Sequence, residues 1–201
     1  MKNVGVLASG NGTNLQAIIE AIERNEVAAR VSLVISDNPG AGALERAEKK
    51  GIPGICFQRS SYASREEMER DMVEALQKEK VELVVLAGFM KVLSPYFINA
   101  FQEKIMNIHP SLLPALPGQN AVKKALEYGV KVTGCTVHFV DEGVDTGPVI
   151  LQEAVPVLQN DDEAALHQRI HAAEYRCYPR AVDLFCREKI KVKGRRCYLY
   201  D

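Results

Sequence analysis

Apolar positions along the chain switch repeatedly between two periods. Val4-Gly5-Val6-Leu7-Ala8 is a short continuous apolar run, the pattern of a strand buried on both faces of a parallel sheet. Leu15, Ile18, Ile19 and Ile22 then fall at i, i+3, i+4 and i+7, with Glu20, Glu23 and Arg24 off that stripe, which predicts a helix. Val31 to Ser36 predicts a second strand, closed by the turn-forming Asp37-Asn38-Pro39-Gly40. A helix through Leu44 to Lys50 stops at Gly51, and Ile55-Cys56-Phe57 resumes an extended run. Arg65 to Lys80 is a further helix striped by Met68, Met72, Val73 and Leu76, and Leu83 to Ala87 is a fourth buried strand. This β-α-β-α-β-α-β alternation predicts an α/β fold, a doubly wound, mostly parallel central sheet with helices on both faces. Such sheets bind ligands beyond the carboxyl ends of their strands, so chemistry is expected in the segments that follow them.

The second half keeps the alternation less strictly. Ile105 to His109 predicts a strand, and Pro110, Pro114 and Pro117 forbid a regular helix up to Gly118. Ala121 to Tyr128 is a short helix. Thr133 to Val140 and Val149 to Val157 are strand-like runs split by Asp141-Glu142-Gly143-Val144-Asp145-Thr146-Gly147. Asn160-Asp161-Asp162-Glu163 places acceptors and negative charge at the start of a long helix, as its dipole favours. Leu166, Ile170, Ala173 and Cys177 stripe that helix, and Pro179 is expected to kink or divide it. Lys189 to Asp201 predicts a small exposed C-terminal hairpin. No repeat or linker interrupts the chain, so residues 1–201 are expected to form a single domain.

Composition narrows the function classes. The 201 residues are 47% hydrophobic and 25% charged, which fits an ordinary globular protein. A net charge of −1 gives no overall attraction to a nucleic-acid backbone, so no nucleic-acid partner is expected. Five cysteines, odd in number and without a CxxC pair, outline neither a disulfide framework nor a zinc site. Reduced thiols and a cytoplasmic location are the expectation. No run of about 18 apolar residues occurs, so no membrane span is expected. His167 and His171 lie i, i+4 on one helix, but no HExxH glutamate accompanies them and no metal is expected.

Three segments carry candidate chemistry. Ala8-Ser9-Gly10-Asn11-Gly12-Thr13-Asn14 joins the first strand to the first helix, where backbone N–H groups beside glycines form an anion site. A plain turn capped by Thr13 or Asn14 would also explain it. A dinucleotide site is disfavoured because the third glycine of that fingerprint falls at Leu15, and the extra donors Asn11, Thr13 and Asn14 suit a terminal phosphate. In Asn107-Ile108-His109-Pro110, strand alternation puts Asn107 and His109 on one side, where an amide beside an imidazole can polarise a carbonyl oxygen. Structural hydrogen bonding explains that pair equally well. Finally, Asp145 in its glycine-bracketed loop before Pro148 can deliver a carboxylate that orients His109. Asp141 and Glu142 fit a solvated turn, and His138 fits either a polar site or the core.

Together these segments resemble the glycinamide ribonucleotide transformylases, the folate-dependent phosphoribosylglycinamide formyltransferases of purine synthesis. The likeness spans nearly the whole chain. It rests on Ser9-Gly-Asn-Gly-Thr-Asn14, Leu86-Ala-Gly-Phe-Met90, Asn107-Ile-His-Pro-Ser-Leu-Leu-Pro114 and Thr133-Gly-Cys-Thr-Val-His-Phe-Val140, with Asp145-Thr-Gly-Pro148. The resemblance implies a Rossmann-like formyltransferase fold and transfer of a formyl group from 10-formyltetrahydrofolate, a co-substrate, to the amine of glycinamide ribonucleotide. It implies that residues 1–100 hold the ribonucleotide phosphate and that residues 101–201 hold the folate and the catalytic groups. By position, Gly12, Thr13 and Asn14 would hold the phosphate and Glu174 the ribose. Arg65, Met90, Lys91, Val92, Leu93 and Asn107 would meet the folate, with backbone of the 141–145 loop reading its pteridine. Asn107, His109 and Asp145 would be the catalytic trio, with a protonated His109 kept charged by Asp145. No metal is implied, and the chain is expected to be a monomer or weak homodimer.

Lys91 departs from the arginine of many relatives, exchanging a bidentate contact for a point charge. His171, one turn before Glu174, stays a possible phosphate contact. Formyltetrahydrofolate hydrolase and methionyl-tRNA formyltransferase share the trio but usually carry an extra domain, for which this chain is expected to have no room. A non-catalytic nucleotide-sensing module would explain the glycine loop and Asp37 but not Asn107, His109 and Asp145.

Overall fold

The computed structural model describes residues 1–200, and the chain divides into two compact units, Met1–Met106 and Asn107–Asp201. In the first, β1 (Lys2–Leu7), β2 (Ala29–Ser36), β3 (Gly54–Cys56) and β4 (Leu83–Leu86) follow the predicted runs. They lie in the order β3-β2-β1-β4, every neighbour parallel. Val4, Val6 and Leu7 are fully buried, as a strand covered on both faces requires. The helices are α1 (Thr13–Glu23), α2 (Gly42–Lys49), α3 (Arg65–Lys78) and α4 (Pro95–Ala100). Right-handed crossovers leading from β1 to β2 and β3 put their helices on one face. The crossover from β3 back to β4 beside β1 puts α3 on the other, which is what double winding means. The strand order therefore reverses between β1 and β4.

The α1 stripe of Leu15, Ile18 and Ile19 is buried as its spacing demands, each side chain stabilising the unit by about 1.5–3 kcal/mol. No side chain caps α1. Its N-cap is Gly12 in the left-handed region at φ 73°, where a Cβ would stand 2.8 Å from the Ala43 backbone, so only glycine fits. Helix α4 has no counterpart among the predicted elements. Its signal is Ser94-Pro95: Ser94 Oγ accepts from the Phe97 amide, and Pro95 takes the first turn, where a missing N–H costs nothing.

In the second unit β5 (Ile105–His109), whose last three residues belong here, is followed by α5 (Ala121–Tyr128), β6 (Val132–Phe139) and β7 (Val149–Pro156). Then come α6 (Glu163–Cys186), β8 (Ile190–Lys193) and β9 (Arg196–Leu199). The order is β5-β6-β7-β9-β8; β6–β7 and β8–β9 run antiparallel and β7–β9 parallel. The predicted terminal hairpin is present, and it extends the sheet edge. Helix α6 starts as predicted, with Asp162 accepting from the Ala165 amide at 2.7 Å. It then runs through Pro179 as one helix, so of the kink or division expected there the division does not occur. Proline removes one helical hydrogen bond and costs about 3 kcal/mol. Here Tyr178, Pro179, Ala181 and Val182 are all buried, and α6 packs on β6 and β7, which outweighs that loss. None of the helices among the described residues is long and apolar enough to cross a membrane.

Leu15 is fully buried where a dinucleotide fold would need glycine. Leu15→Ala should lower stability by about 2–5 kcal/mol through the cavity it leaves, read as a fall in the urea midpoint. An unchanged midpoint would mean that α1 does not pack as described.

Candidate active site

At the strand-order reversal of the first unit, the loops after β1 and β4 meet. The Ser9 amide donates to the Gly88 carbonyl at 3.1 Å, and the Ser9 hydroxyl accepts from the Met90 amide at 3.0 Å. Beyond Ser9 the chain turns through Gly10-Asn11-Gly12 into α1. This turn is braced from α2: the Ala43 amide donates to the Gly10 carbonyl (3.2 Å), and Arg46 donates to the Asn11 carbonyl (2.7 Å) and Asn11 Oδ1 (3.2 Å). A rigid glycine turn thus presents the positive end of an eleven-residue helix, the physical requirement for an anion site.

Beside the β4 loop lies a cavity of about 190 Å³ lined by Asp37, Arg59, Arg65, Met68, Glu69, Met72, Phe89, Lys91 and Leu93. Its walls are apolar (Met68, Met72, Phe89, Leu93), while Arg59, Arg65 and Lys91 supply positive charge. This combination suits a flat, largely apolar molecule with an anionic end.

The second unit holds a buried polar cluster. His109, on β5, is 5% exposed. Its Nε2 lies 2.9 Å from the Leu116 carbonyl, and its Nδ1 lies 3.2 Å from Asp145 Oδ2. That same carboxylate oxygen accepts from the Gly118 amide at 2.8 Å. Asp145 Oδ1 faces His138 Nε2 at 3.6 Å. His138 Nδ1 is 2.8 Å from the Phe139 carbonyl, and its Nε2 lies 3.3 Å from Asn107 Nδ2 as well as facing the Asp145 carboxylate. The β6–β7 register shifts beside this residue, with Ile150 of β7 the extra residue opposite Val137 and His138.

Several devices fix the cluster. Leu116 and Asp145 both adopt left-handed backbone, at φ 54° and 55°; aspartate tolerates this, whereas leucine is strained. Thr136 on β6 donates its hydroxyl to the Ser111 carbonyl (2.6 Å) and accepts from the Leu113 amide (3.0 Å), while Gln152 on β7 donates to the Leu113 carbonyl (2.8 Å). The proline-rich loop that carries Leu116 is thereby clamped to the sheet. At the other side Gly147 passes so close to the Phe139 carbonyl that a Cβ would lie 1.8 Å from it. Arg195, in the terminal hairpin, donates to the Thr146 carbonyl at 2.8 Å.

The electrostatics follow from this geometry. His138, the Gly118 amide and the charge of His109 together hold the Asp145 carboxyl down to about 2, against the opposing effect of burial. Burial pushes the His109 imidazole below its ordinary value; the Leu116 carbonyl and Asp145 pull it back, and His138 and Lys124 oppose them. The ring rests neutral near pH 7, yet both nitrogens face acceptors that would satisfy a second proton. Burial and the carboxylate thus act on the imidazole in opposite directions.

A family model described as formyl transferase matches residues 2–182. The chain belongs to the formyl transferase family. It is 50% identical over 183 residues, 90% of its length, to the trifunctional purine biosynthetic protein adenosine-3 of Drosophila melanogaster, of whose length it spans 14%. It is 43% identical to the phosphoribosylglycinamide formyltransferase of Bacillus subtilis, with 90% of this chain and 93% of that one covered. The crystal structure of glycinamide ribonucleotide transformylase 1 from Symbiobacterium toebii superposes at a TM-score of 0.98 with 48% identity, covering 100% of this chain and 95% of that one. The predicted α/β fold, with its mostly parallel sheet and small terminal hairpin, is that of this family.

In this formyl transferase the residues expected of the site are brought together in part. Asn107, His109 and Asp145 converge, and His138, undecided from sequence, is the fourth member that joins Asn107 to Asp145. Gly12, Thr13 and Asn14 form the turn and first residues of α1. Arg65, Lys91 and Leu93 line the cavity, whereas Met90 and Val92 are 68% and 58% exposed and lie outside its lining. Glu174 is buried on α6, with His171 Nε2 at 3.9 Å. The rings of His167 and His171 lie with centroids 4.1 Å apart, tilted by 45° to each other. Asp141 accepts from the Gly143 amide and the Thr146 hydroxyl, the turn-forming role expected of it. Sequence reasoning missed Thr136, Gln152 and Glu69, whose roles come from partners distant in the chain, and it assigned Met68 and Met72 to helix packing alone.

Asp145 raises the His109 pKa, so Asp145→Asn should lower it further, seen as a downward shift of the His109 titration by NMR; an upward shift would contradict the pairing. Linkage has one sign for both groups. The lowered Asp145 pKa stabilises the fold above the unfolded value of about 3.9, an effect lost as pH falls toward 2. The lowered His109 pKa stabilises it above about 6.5, an effect lost on acidification below that value. Stability of the wild type should therefore fall on acidification in both windows.

Proposed function

We propose that this chain transfers a formyl group from 10-formyltetrahydrofolate to the primary amine of glycinamide ribonucleotide, a step in purine synthesis. The observation that carries the reading is the chain Asn107–His138–Asp145–His109, an amide donor and a proton-accepting pair in which both imidazoles are buried and Asn107 and Asp145 are partly exposed. The name of the Bacillus relative, matched over nearly its full length, supports the same substrate.

The ribonucleotide phosphate is assigned to the Gly12, Thr13 and Asn14 amides at the start of α1, and a ribose hydroxyl to the Glu174 carboxylate. The formyl-folate is assigned to Arg65, Met90, Lys91, Val92 and Leu93, its apolar body suiting the cavity wall and its carboxylates the cations. One Asn107 Nδ2 hydrogen is used by His138, and the other is available to the formyl oxygen as negative charge develops there. The attacking amine must lose a proton and the departing folate nitrogen must gain one. The facing atoms, His109 Nδ1 and Asp145 Oδ2, hold that proton in between, because a ring that is neutral at rest gains full hydrogen bonding when it accepts. No proton or electron is left unbalanced, and no covalent enzyme intermediate forms.

The test is to mix the purified protein with 10-formyltetrahydrofolate and follow tetrahydrofolate release with and without glycinamide ribonucleotide. Release only when the ribonucleotide is present is expected; release of free formate without it would overturn the transferase in favour of a hydrolase. Asn107→Ala should lower turnover on the order of a hundredfold or more through loss of the oxyanion contact, and His109→Ala by a similar factor through loss of the proton carrier. Near-normal turnover in either variant would remove that residue from the mechanism.

A further inference from the structure

We infer that Glu69, a buried carboxylate outside the reacting cluster, is a positioning residue that fixes the loop after β4 and aims Arg65 at the anionic end of the folate co-substrate; this rests on the formyl-folate reading above. Glu69 lies on α3 and is 2% exposed, a burial that glutamates almost never tolerate unless paired. Its two oxygens accept from the Ser94 amide at 3.2 and 3.1 Å, and Oε2 also accepts from the Ser94 hydroxyl. One turn earlier on α3, Arg65 Nε stands 3.5 Å from Glu69 Oε1. A second Arg65 nitrogen donates to the Val92 carbonyl at 3.2 Å.

These contacts form a set of tethers. Ser9 holds the loop at Met90, Arg65 holds it at Val92, and Glu69 holds it at Ser94, where α4 begins. Glu69 also lines the cavity together with Arg65 and Lys91. A carboxylate there would repel an anionic ligand if it faced one directly. Its charge is instead taken up by Ser94 and by one edge of the Arg65 guanidinium. The Arg65 side chain remains 47% exposed, so the planar group is oriented at one edge and accessible elsewhere. The folate co-substrate carries its negative charge on its glutamate tail, which makes that tail the part a fixed guanidinium would recognise.

A simpler role for Glu69 would be to fasten the start of α4. The two roles differ in what its charge does. Glu69→Gln keeps side-chain size and an acceptor for Ser94 but removes the charge that orients Arg65. Ser94→Ala weakens the fastening and keeps the charge. The experiment measures KM and kcat for wild type and both variants with 10-formyltetrahydrofolate and with the analogue lacking the glutamate tail.

Wild type should prefer the glutamate-bearing form. E69Q should raise KM for that form roughly tenfold, leave KM for the tail-less analogue and for the ribonucleotide unchanged, and so abolish the preference. Ser94→Ala should lower the melting temperature yet retain the preference. Should E69Q fold poorly, Glu69→Asp, which withdraws the charge from Arg65 by one methylene, takes its place with the same expectation. An E69Q enzyme that keeps the wild-type preference, or loses affinity for both forms equally, would overturn the inference. A wild type that transfers from neither co-substrate would remove the functional reading and the inference with it, a result distinct from an active enzyme whose preference ignores Glu69.

Discussion

A buried imidazole must have both of its nitrogens answered by partners, and the second unit is organised around that requirement at His109. One answer is a backbone carbonyl, which obliges the chain after β5 to double back until Leu116 faces the ring. The other is a carboxylate, which obliges the loop after β6 to bring Asp145 inward. Both residues sit in left-handed backbone, so local conformational energy is raised at the two places where it serves the ring. Packing and hydrogen bonds elsewhere must offset that energy. Thr136 and Gln152 do so on one side, and the close passage of Gly147 beneath Phe139 does so on the other.

The first unit solves a different problem with different means. It presents a helix start, a set of cations and an apolar wall, placed beside the point where the strand order reverses. Binding energy gathered there on groups remote from the reacting atoms is what an enzyme can spend on orientation at the reacting centre. On the function proposed, the first unit binds and the second moves protons; the first is braced by arginine and backbone contacts and the second by buried titratable groups.

Much of this was legible in the chain itself. The alternation of periods gives the parallel strands and most helices, and Asn107, His109 and Asp145 stand out because spacing and flanking prolines and glycines constrain them. What escaped depends on tertiary burial. Pro179 looks like a helix breaker because its cost is local, whereas the packing that overrides it is not. The pull of Asp145 on His109 is visible in sequence, and the desolvation that opposes it is not. His138 is ambiguous on alternation alone, because the Asp145 carboxylate that faces it comes from a loop whose path the strand pattern does not show. Helix α4 carried a readable signal in Ser94-Pro95, but at six residues it has too few apolar positions to show a period.

The terminal hairpin has a consequence for anyone who handles this protein. Through Arg195 and the Thr146 carbonyl, the last strands are attached one residue away from Asp145, although some fifty positions separate them in the chain. Arg195 lies in the turn between β8 and β9, at the end of the hairpin away from Leu199, so a change in the length or sequence of that turn acts on the segment that carries the carboxylate.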